Sequence, residues 1–495
     1  MKKLALLLAA LVPLTLAPLG LGSTSAAATT ASSATSADST PRLQRQGRFL
    51  VDQYGRVVII HGLNMVWKRA PYAPPDTPAG FTVKDAAWLA KYGFNGARLG
   101  MLWAGVTPEE PGVADPAYFR RVDRVTRLLA DKKIWMLFDG HQDQWHEQYG
   151  GEGVPGWAAK RPQPFALAPY VKVPFPQGYW TPEVSTVFDN FWANKDDLQT
   201  AWAAAWKLVA QHYRNQPYSM GYDLMNEPWA GIEWPSCLTT GCESTYSREL
   251  QPAMTRGLRE VREADGKNIV WWEPQQFAGG QKLETYFTAV AGEKNLGFSW
   301  HNYCPDVFFE SQGIPGGDTE NCRAYTADRE NHAIDQAGRM NAAAVMTEWG
   351  ATDNVKAIGI DADGADDAEM GWMYWAYKHW EDPTTADDAQ GLFEDDADLS
   401  TVKMDKLRQL VRTYPQATAG TPTGIEYDAT TGLFSMTYTP NRAITQPTQV
   451  FVSPLTSPRG YDVKVTGGTA TKSGSIVLVN ATSSSPVTVR ITPKV

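Results

Sequence analysis

The sequence predicts an α/β fold: a (β/α)8 TIM barrel followed by a small C-terminal β-sandwich. Three observations carry this expectation. Across 45–415, short β-rich apolar runs alternate with amphipathic helical ones, the pattern of βα units around a parallel sheet. Two of the apolar runs end in a carboxylate, at Asn226-Glu227-Pro228 and Glu348-Trp349-Gly350, and barrels carry their chemistry at the C-terminal ends of strands. Past Pro415 the helical periodicity stops. Over 418–495 short alternating runs with turn signals take over, such as Gly432-Leu433-Phe434-Ser435-Met436-Thr437-Tyr438, as in a β-sandwich.

The elements follow in order. Residues 1–28 start Met1-Lys2-Lys3, run apolar to about Gly22 and end in small residues at Ser25-Ala26-Ala27-Ala28, the three-part layout of a secretory signal. Pro13 and Pro18 interrupt the run, which argues against a membrane anchor, so cleavage and secretion are expected. Residues 29–44, rich in Ser, Thr and Ala, read as a disordered leader. Eight strands are placed at 57–64, 94–103, 133–142, 219–228, 268–275, 296–303, 342–350 and 371–377, with helices such as 117–132 and 198–214 between them. The span exceeds the roughly 250 residues of a minimal barrel, so some loops carry insertions. The largest, from Trp145 to Phe191, is crowded with Pro, Gly and aromatics and is expected to shape specificity at the mouth. The sandwich lies beyond the last tryptophan, Trp380. Sugar-stacking platforms usually need such rings, so a packing role is expected for it.

The chain has 495 residues, 43% hydrophobic and 20% charged, with a formal net charge of -9. That is enough for a large core and more than one domain. The charge excludes nucleic acid as a partner, because phosphate binding needs clustered Lys and Arg. Cys237, Cys242, Cys304 and Cys322 allow three pairings. The local one, Cys237 with Cys242 and Cys304 with Cys322, is expected as structural disulfides, since neither spacing is that of a zinc knuckle.

Two facing carboxylates suit cleavage of a glycosidic bond. One acid protonates the leaving oxygen, and the other attacks the anomeric carbon or activates water. Other strand ends offer converging polar groups: Arg98 on the second, Asp139, His141 and Asp143 on the third, Glu273 on the fifth, His301 and Tyr303 on the sixth, and Trp375 toward Trp380 on the eighth. Lys68 follows the first strand. From pattern alone Glu273, in Trp272-Glu273-Pro274, is as plausible a mouth carboxylate as the paired glutamates.

This set resembles the fifth glycoside hydrolase family. Within it, Asp139-Gly140-His141-Gln142-Asp143, Leu224-Met225-Asn226-Glu227-Pro228-Trp229 and the added sandwich resemble the endoglycoceramidases. The resemblance implies Glu227 as acid/base, Glu348 as nucleophile and Asn226 on the 2-hydroxyl. It implies His141, Asp143, Lys68 and Trp380, or alternatively Trp375, around the sugar next to the scissile bond. Tyr303, Arg98 and His301 would surround the carboxylates, with Glu273 behind them. It further implies hydrolysis of glycosphingolipids into oligosaccharide and ceramide by a monomer, with transient contact to a membrane or micelle surface and with no cofactor or metal. Alternatives are the same chemistry on a β-glucan, a mannan or a simple glycosylceramide, or a non-catalytic carbohydrate-binding barrel. Gly140 and the Lys68-Arg69 pair depart from the family pattern.

Overall fold

The computed structural model describes residues 40–281, 283–311, 317–384 and 388–494; the expected signal and most of the expected leader lie outside the described residues. Eight parallel strands close a barrel: β1 (His61–Met65), β2 (Gly96–Gly100), β3 (Trp135–Asp139), β4 (Ser219–Asp223), β5 (Val270–Trp272), β6 (Leu296–Asn302), β7 (Ala342–Trp349) and β8 (Gly371–Tyr374). Every expected strand is present, most of them shorter than expected.

Two differences have clear causes. The expected first strand is divided, because Val57–Val58 pairs with Phe49–Val51 in a three-stranded antiparallel sheet with Gln44–Gln46, while His61–Met65 enters the barrel. The end of the expected disordered leader is ordered for the same reason. Leu43 is fully buried among Trp271, Met220 and Leu137, its N–H donates to the Ser219 carbonyl at 3.0 Å, and the segment stoppers the lower end of the barrel. Burying one Leu side chain there contributes about 1.5–3 kcal/mol.

Two layers of core alternate along the strands. On β3, Trp135 and Leu137 fill the barrel while Met136 and Phe138 pack outward against helices, the period-two pattern of a strand. Asp139 ends that strand, and its carboxylate meets Arg98 inside the barrel.

Two irregularities change this phase where it matters. On β4, Met220 points inward and Tyr222 outward, so simple alternation would be broken without an extra residue. The register shifts against β3 beside Gly221, whose φ is 104°, and Asp223 is thereby turned inward to Arg98. A Cβ at Gly221 would lie 1.9 Å from the Ile269 carbonyl oxygen, so only glycine fits. On β7, Ala343 and Val345 face inward, a phase that would send Glu348 outward. A bulge between Met346 and Glu348 turns Glu348 into the mouth and leaves Trp349 outside, against Trp372 and Tyr374. Bulges beside active sites re-aim side chains in this way.

The sandwich holds β9 (Tyr414–Ala417), β10 (Gly420–Tyr427), β11 (Phe434–Pro440), β12 (Thr448–Phe451), β13 (Tyr461–Thr466), β14 (Gly468–Ser473), β15 (Ile476–Ala481) and β16 (Val487–Pro493). They form two four-stranded sheets, ordered β9-β12-β15-β14 and β10-β11-β16-β13. Tyr414 stacks on His61 with ring centroids 3.6 Å apart and donates to the Gly93 carbonyl at 2.7 Å, so the domain packs on the barrel.

Disulfides join Cys237 to Cys242 and Cys304 to Cys322, as expected. Closing a loop of about 15 residues contributes on the order of 3 kcal/mol in the chain-entropy picture. Thiol titration of denatured, unreduced protein is expected to find no free thiol, and two or more would overturn the pairing. Among the described residues no helix is long and apolar enough to cross a membrane.

Candidate active site

Arg98, fully buried on β2, organises the mouth. Its Nη1 donates to Asn64 Oδ1 at 3.1 Å and Glu348 Oε2 at 3.0 Å. Its Nη2 donates to Asp139 Oδ1 at 2.8 Å, Asn226 Oδ1 at 3.0 Å and Glu273 Oε1 at 2.7 Å, and Nε lies 3.5 Å from Asp223. Burial opposes its charge, but Asp139, Glu273, Asp223 and Glu348 together outweigh burial and raise its pKa.

Glu348 accepts a second hydrogen bond from the Tyr303 hydroxyl, at 2.7 Å. Across from it, Glu227 meets His301 Nδ1 at 2.9 Å and accepts from Gln276 Nε2 at 3.2 Å. One carboxylate oxygen of Glu227 and one of Glu348 lie within 4.8 Å of each other. So close an approach suits the short separation of retaining glycosidases, about 5–5.5 Å between carboxyl groups, better than the about 6.5–9.5 Å that leaves room for water in inverting ones.

The two acids sit in different fields. Burial, with the Glu348 and Asp143 charges, pushes Glu227 above the usual carboxylate range against the pull of His301. Glu273, by contrast, is held at about 2: burial favours its neutral form, but the His301 and Arg98 charges and the Glu227 N–H prevail. That N–H donates to Glu273 Oε2 at 2.8 Å. Glu273 therefore anchors Arg98 and the Glu227 backbone, which is the supporting place the family resemblance implies. His301, despite burial, is kept protonated by Glu273 and Glu348.

A second nest lies beside the pair. Lys68 Nζ donates to Asp143 Oδ2 and Thr384 Oγ1, each at 2.7 Å, sits 3.1 Å from Asp382 and lies 4.6 Å from the centre of the Trp375 ring. His141 stacks on that ring at 5.3 Å and holds Asp139 through Nδ1 at 2.8 Å. Although burial favours the neutral ring, Asp139 raises His141 to about 9. Of the two tryptophans left open, Trp375 stands in this nest; Trp380 packs on Trp67 at 5.6 Å and donates to the Ala79 carbonyl. Gly140 has a local reason: a Cβ would lie 2.5 Å from the Leu224 carbonyl oxygen and 2.7 Å from Trp206. Arg69 turns away to the exposed Glu381 carbonyl.

Three acid sets could share a metal ion by spacing: His141, Asp143 and Glu152; Glu227, His301 and Glu348; and Asp139, Asp223 and Glu273. The first and third already face a protein cation, Lys68 and Arg98 respectively, and within the second His301 Nδ1 lies 2.9 Å from Glu227. The structure thus brings the other sequence-predicted residues together around the paired glutamates and Lys68, with Trp380 packed on Trp67, the residue before Lys68. It adds Asp223, Asp382, Thr384, Gln276 and Glu152. Only Glu152 gave a signal, an acid between Gly151 and Gly153 in the large insertion.

An apolar rim adjoins Glu227. Gln276 is followed by Phe277, whose ring lies 6.1 Å from Trp234, itself stacked 6.2 Å from Trp180. Of the ten large hydrophobics exposed among the described residues, five (Leu167, Val171, Trp180, Ile232 and Leu238) belong to the loops after β3 and β4. Phe308 is half-buried on the helix Pro305–Ser311. Ile314 and the side chain of Phe309 lie outside the described residues.

A parallel barrel with facing carboxylates at the ends of its fourth and seventh strands defines a glycosidase of the barrel class. Residues 51–381 match the family described as Cellulase (glycosyl hydrolase family 5), and residues 412–492 match the glycoside hydrolase family 5 C-terminal domain. The protein belongs to glycosyl hydrolase family 5. It is 35% identical over 457 residues to Endoglycoceramidase I of Rhodococcus hoagii, covering 91% of this chain and 88% of that one. It is 26% identical to an Endoglycoceramidase of Hydra vulgaris over 79% of this chain and 76% of the relative. Among solved structures, endo-glycoceramidase II from Rhodococcus sp., in a five-membered iminocyclitol complex, superposes with a TM-score of 0.74 at 25% identity, covering 90% of this chain and 100% of that one.

Proposed function

We propose that this protein is a secreted, retaining endo-β-glycosidase that hydrolyses the bond between oligosaccharide and ceramide in glycosphingolipids. Glu227 protonates the glycosidic oxygen as its bond to the anomeric carbon breaks, and ceramide leaves as a neutral alcohol. Glu348 bonds to that carbon. Glu227, now a carboxylate, takes a proton from water while the water oxygen displaces Glu348, so the configuration is retained. Arg98 and Tyr303 hold and aim Glu348 through their hydrogen bonds to its two oxygens. Asn226 takes the 2-hydroxyl, and Lys68, His141, Asp143 and Trp375 hold the sugar. The signal layout and two disulfides support export to an oxidising compartment.

The observation that carries the lipid half of this reading is the apolar rim running from Phe277 through Trp234 to exposed Trp180, with Ile232 exposed two residues before Trp234. Ceramide chains buried on such a surface gain roughly 25 cal/mol per Å², and exposed apolar patches on one side of a mouth mark binding sites. A monomer touching a micelle or membrane through this rim fits the same arrangement. A polysaccharide would call for aromatic platforms on both sides of the cut.

The test is release of intact glycan from ganglioside compared with sugar release from carboxymethylcellulose. The double variant Trp180→Ser, Ile232→Ser is expected to raise KM for ganglioside micelles by about tenfold, the loss of roughly 1.4 kcal/mol of apolar contact, with less than twofold change for a soluble aryl glycoside. Equal effects on both substrates, or faster cleavage of cellulose by the unaltered enzyme, would favour the polysaccharide reading.

A further inference from the structure

The Lys68 nest contains one carboxyl group more than its hydrogen-bond donors can serve. Asp143, Asp382 and Glu152 lie 2.7, 3.1 and 3.7 Å from the single ammonium group of Lys68. Asp143 also receives the Thr384 hydroxyl at 2.8 Å and faces His141 Nε2 at 3.5 Å. Asp382 receives the Thr384 N–H at 2.9 Å, and shares with Asp143 the one proton of the Thr384 hydroxyl, also 2.9 Å away. Glu152, only 1% exposed, has no hydrogen-bond partner at either carboxyl oxygen among the described residues. Its position is fixed by its backbone: its N–H donates to the Asp143 carbonyl at 2.8 Å and its own carbonyl accepts from Asp143 at 3.2 Å. An Asp143 oxygen and a Glu152 oxygen fall within 4.8 Å of each other.

Charge counting identifies the odd group. Lys68 is shared by three carboxyls, and the charge on His141 is already held by Asp139. Two phenols also feel a charge on Glu152: Tyr72 from the loop after β1, whose hydroxyl donates to Glu147 at 2.8 Å, and Tyr179 from the long loop after β3. An ionised carboxylate buried without donors costs several kcal/mol, and of the three only Glu152 lacks them. We propose that Glu152 is a positioning residue of the sugar subsite: it stands as a neutral carboxylic acid beside Asp143, and its proton keeps Lys68 seated on Asp143 and Asp382 in the geometry that receives the sugar hydroxyls. The proposal rests on the reading of the Lys68 nest as the sugar subsite.

Burial, then repulsion from Asp143 and Asp382, raises Glu152 well above the carboxylate range against the attraction of Lys68. The direction of the pH effect follows. As pH rises through that raised value, Glu152 loses its proton to solvent and becomes a competing anion 3.7 Å from the ammonium. Lys68 is then drawn off the 2.7 Å contact with Asp143, and the sugar subsite is distorted. Sugar binding weakens on the alkaline side. Folding stability falls in the same direction, because a carboxyl whose folded pKa exceeds its unfolded one loses stability as pH rises toward the folded value.

Glu152→Gln is the isostere of the neutral acid: its amide oxygen faces Lys68 and its N–H faces Asp143. In the unaltered enzyme, KM for a soluble aryl β-glycoside is expected to rise about tenfold between about pH 6 and pH 9, equivalent to one pKa unit of coupling. In Glu152→Gln the same ratio is expected to stay below twofold, while Glu152→Ala raises KM at every pH. The melting temperature of the unaltered protein should fall relative to Glu152→Gln over the same window. A Glu152→Gln profile that rises like that of the unaltered enzyme, or one as damaged as Glu152→Ala at every pH, would overturn the proposal. If the unaltered enzyme cleaves no glycoside, the proposed function fails, and the two melting curves still decide the state of Glu152: parallel curves from pH 6 to pH 9 would overturn the neutral acid.

Discussion

Glu348→Gln is expected to lower kcat on ganglioside by about 10⁴-fold or more, the scale seen when a nucleophile is removed. The loss should fall on chemistry and spare folding. In the variant, Arg98 keeps Asp139, Glu273 and Asp223 within 3.5 Å, so the buried guanidinium stays compensated. Tyr303, which donates to Glu348 at 2.7 Å, can donate equally to an amide oxygen. The melting temperature should therefore move by a few degrees at most, and binding of uncleaved ganglioside should persist. A positive test uses a fluorinated glycoside with an activated leaving group: mass spectrometry after digestion should place the adduct on the peptide bearing Glu348. An adduct on Glu227 would exchange the two roles. One on Glu273 would contradict the geometry outright, since that carboxylate is locked between Arg98 and the Glu227 N–H.

The two strand-end motifs were legible because they obey local rules. An apolar run stopping at Asn-Glu-Pro or Glu-Trp-Gly can be read without tertiary information, and so can the order of the strands. What could not be read is phase. Glu348 faces the mouth only because a bulge after Met346 breaks the alternation, and Asp223 faces Arg98 only because of the irregularity at Gly221. A period-two reading of either strand puts these carboxylates on the wrong side. The leader's last residues were misread on composition: residues 40–44 look like the polar tract before them, but Leu43 finds the open lower end of the barrel. The roles of Glu152 and Asp382 stayed hidden for another reason. Their significance is a count of charges around one ammonium, and loops far apart in sequence supply them. The ring of Trp375 beside Lys68 is likewise a tertiary placement that no spacing encodes.

Glu227→Gln is expected to cost about 10³-fold to 10⁴-fold on ganglioside, near the upper end of what general acid–base catalysis contributes, because ceramide leaves through a primary alkoxide oxygen that must be protonated. An aryl glycoside with an acidic phenol leaving group needs no such proton. Its first step should survive in the variant, and only hydrolysis of the glycosyl-enzyme should slow, so a burst of phenol should precede a slow steady state. External azide, a nucleophile requiring no general base, should then raise the steady rate and yield a β-glycosyl azide of retained configuration. The pH dependence adds a second signature. Burial and the charges of Glu348 and Asp143 raise Glu227 above the usual range, so the protonated acid persists to higher pH and its loss shapes the alkaline limb of kcat/KM on ganglioside. In the variant that limb should be absent from the residual activity on ganglioside, since no proton at residue 227 remains to be lost. Equal losses on both substrates without azide rescue would remove Glu227 from the acid/base role. Because Glu227 also anchors Gln276 and His301, Glu227→Ala should show the larger azide effect, as truncation opens space for the anion beside the anomeric carbon.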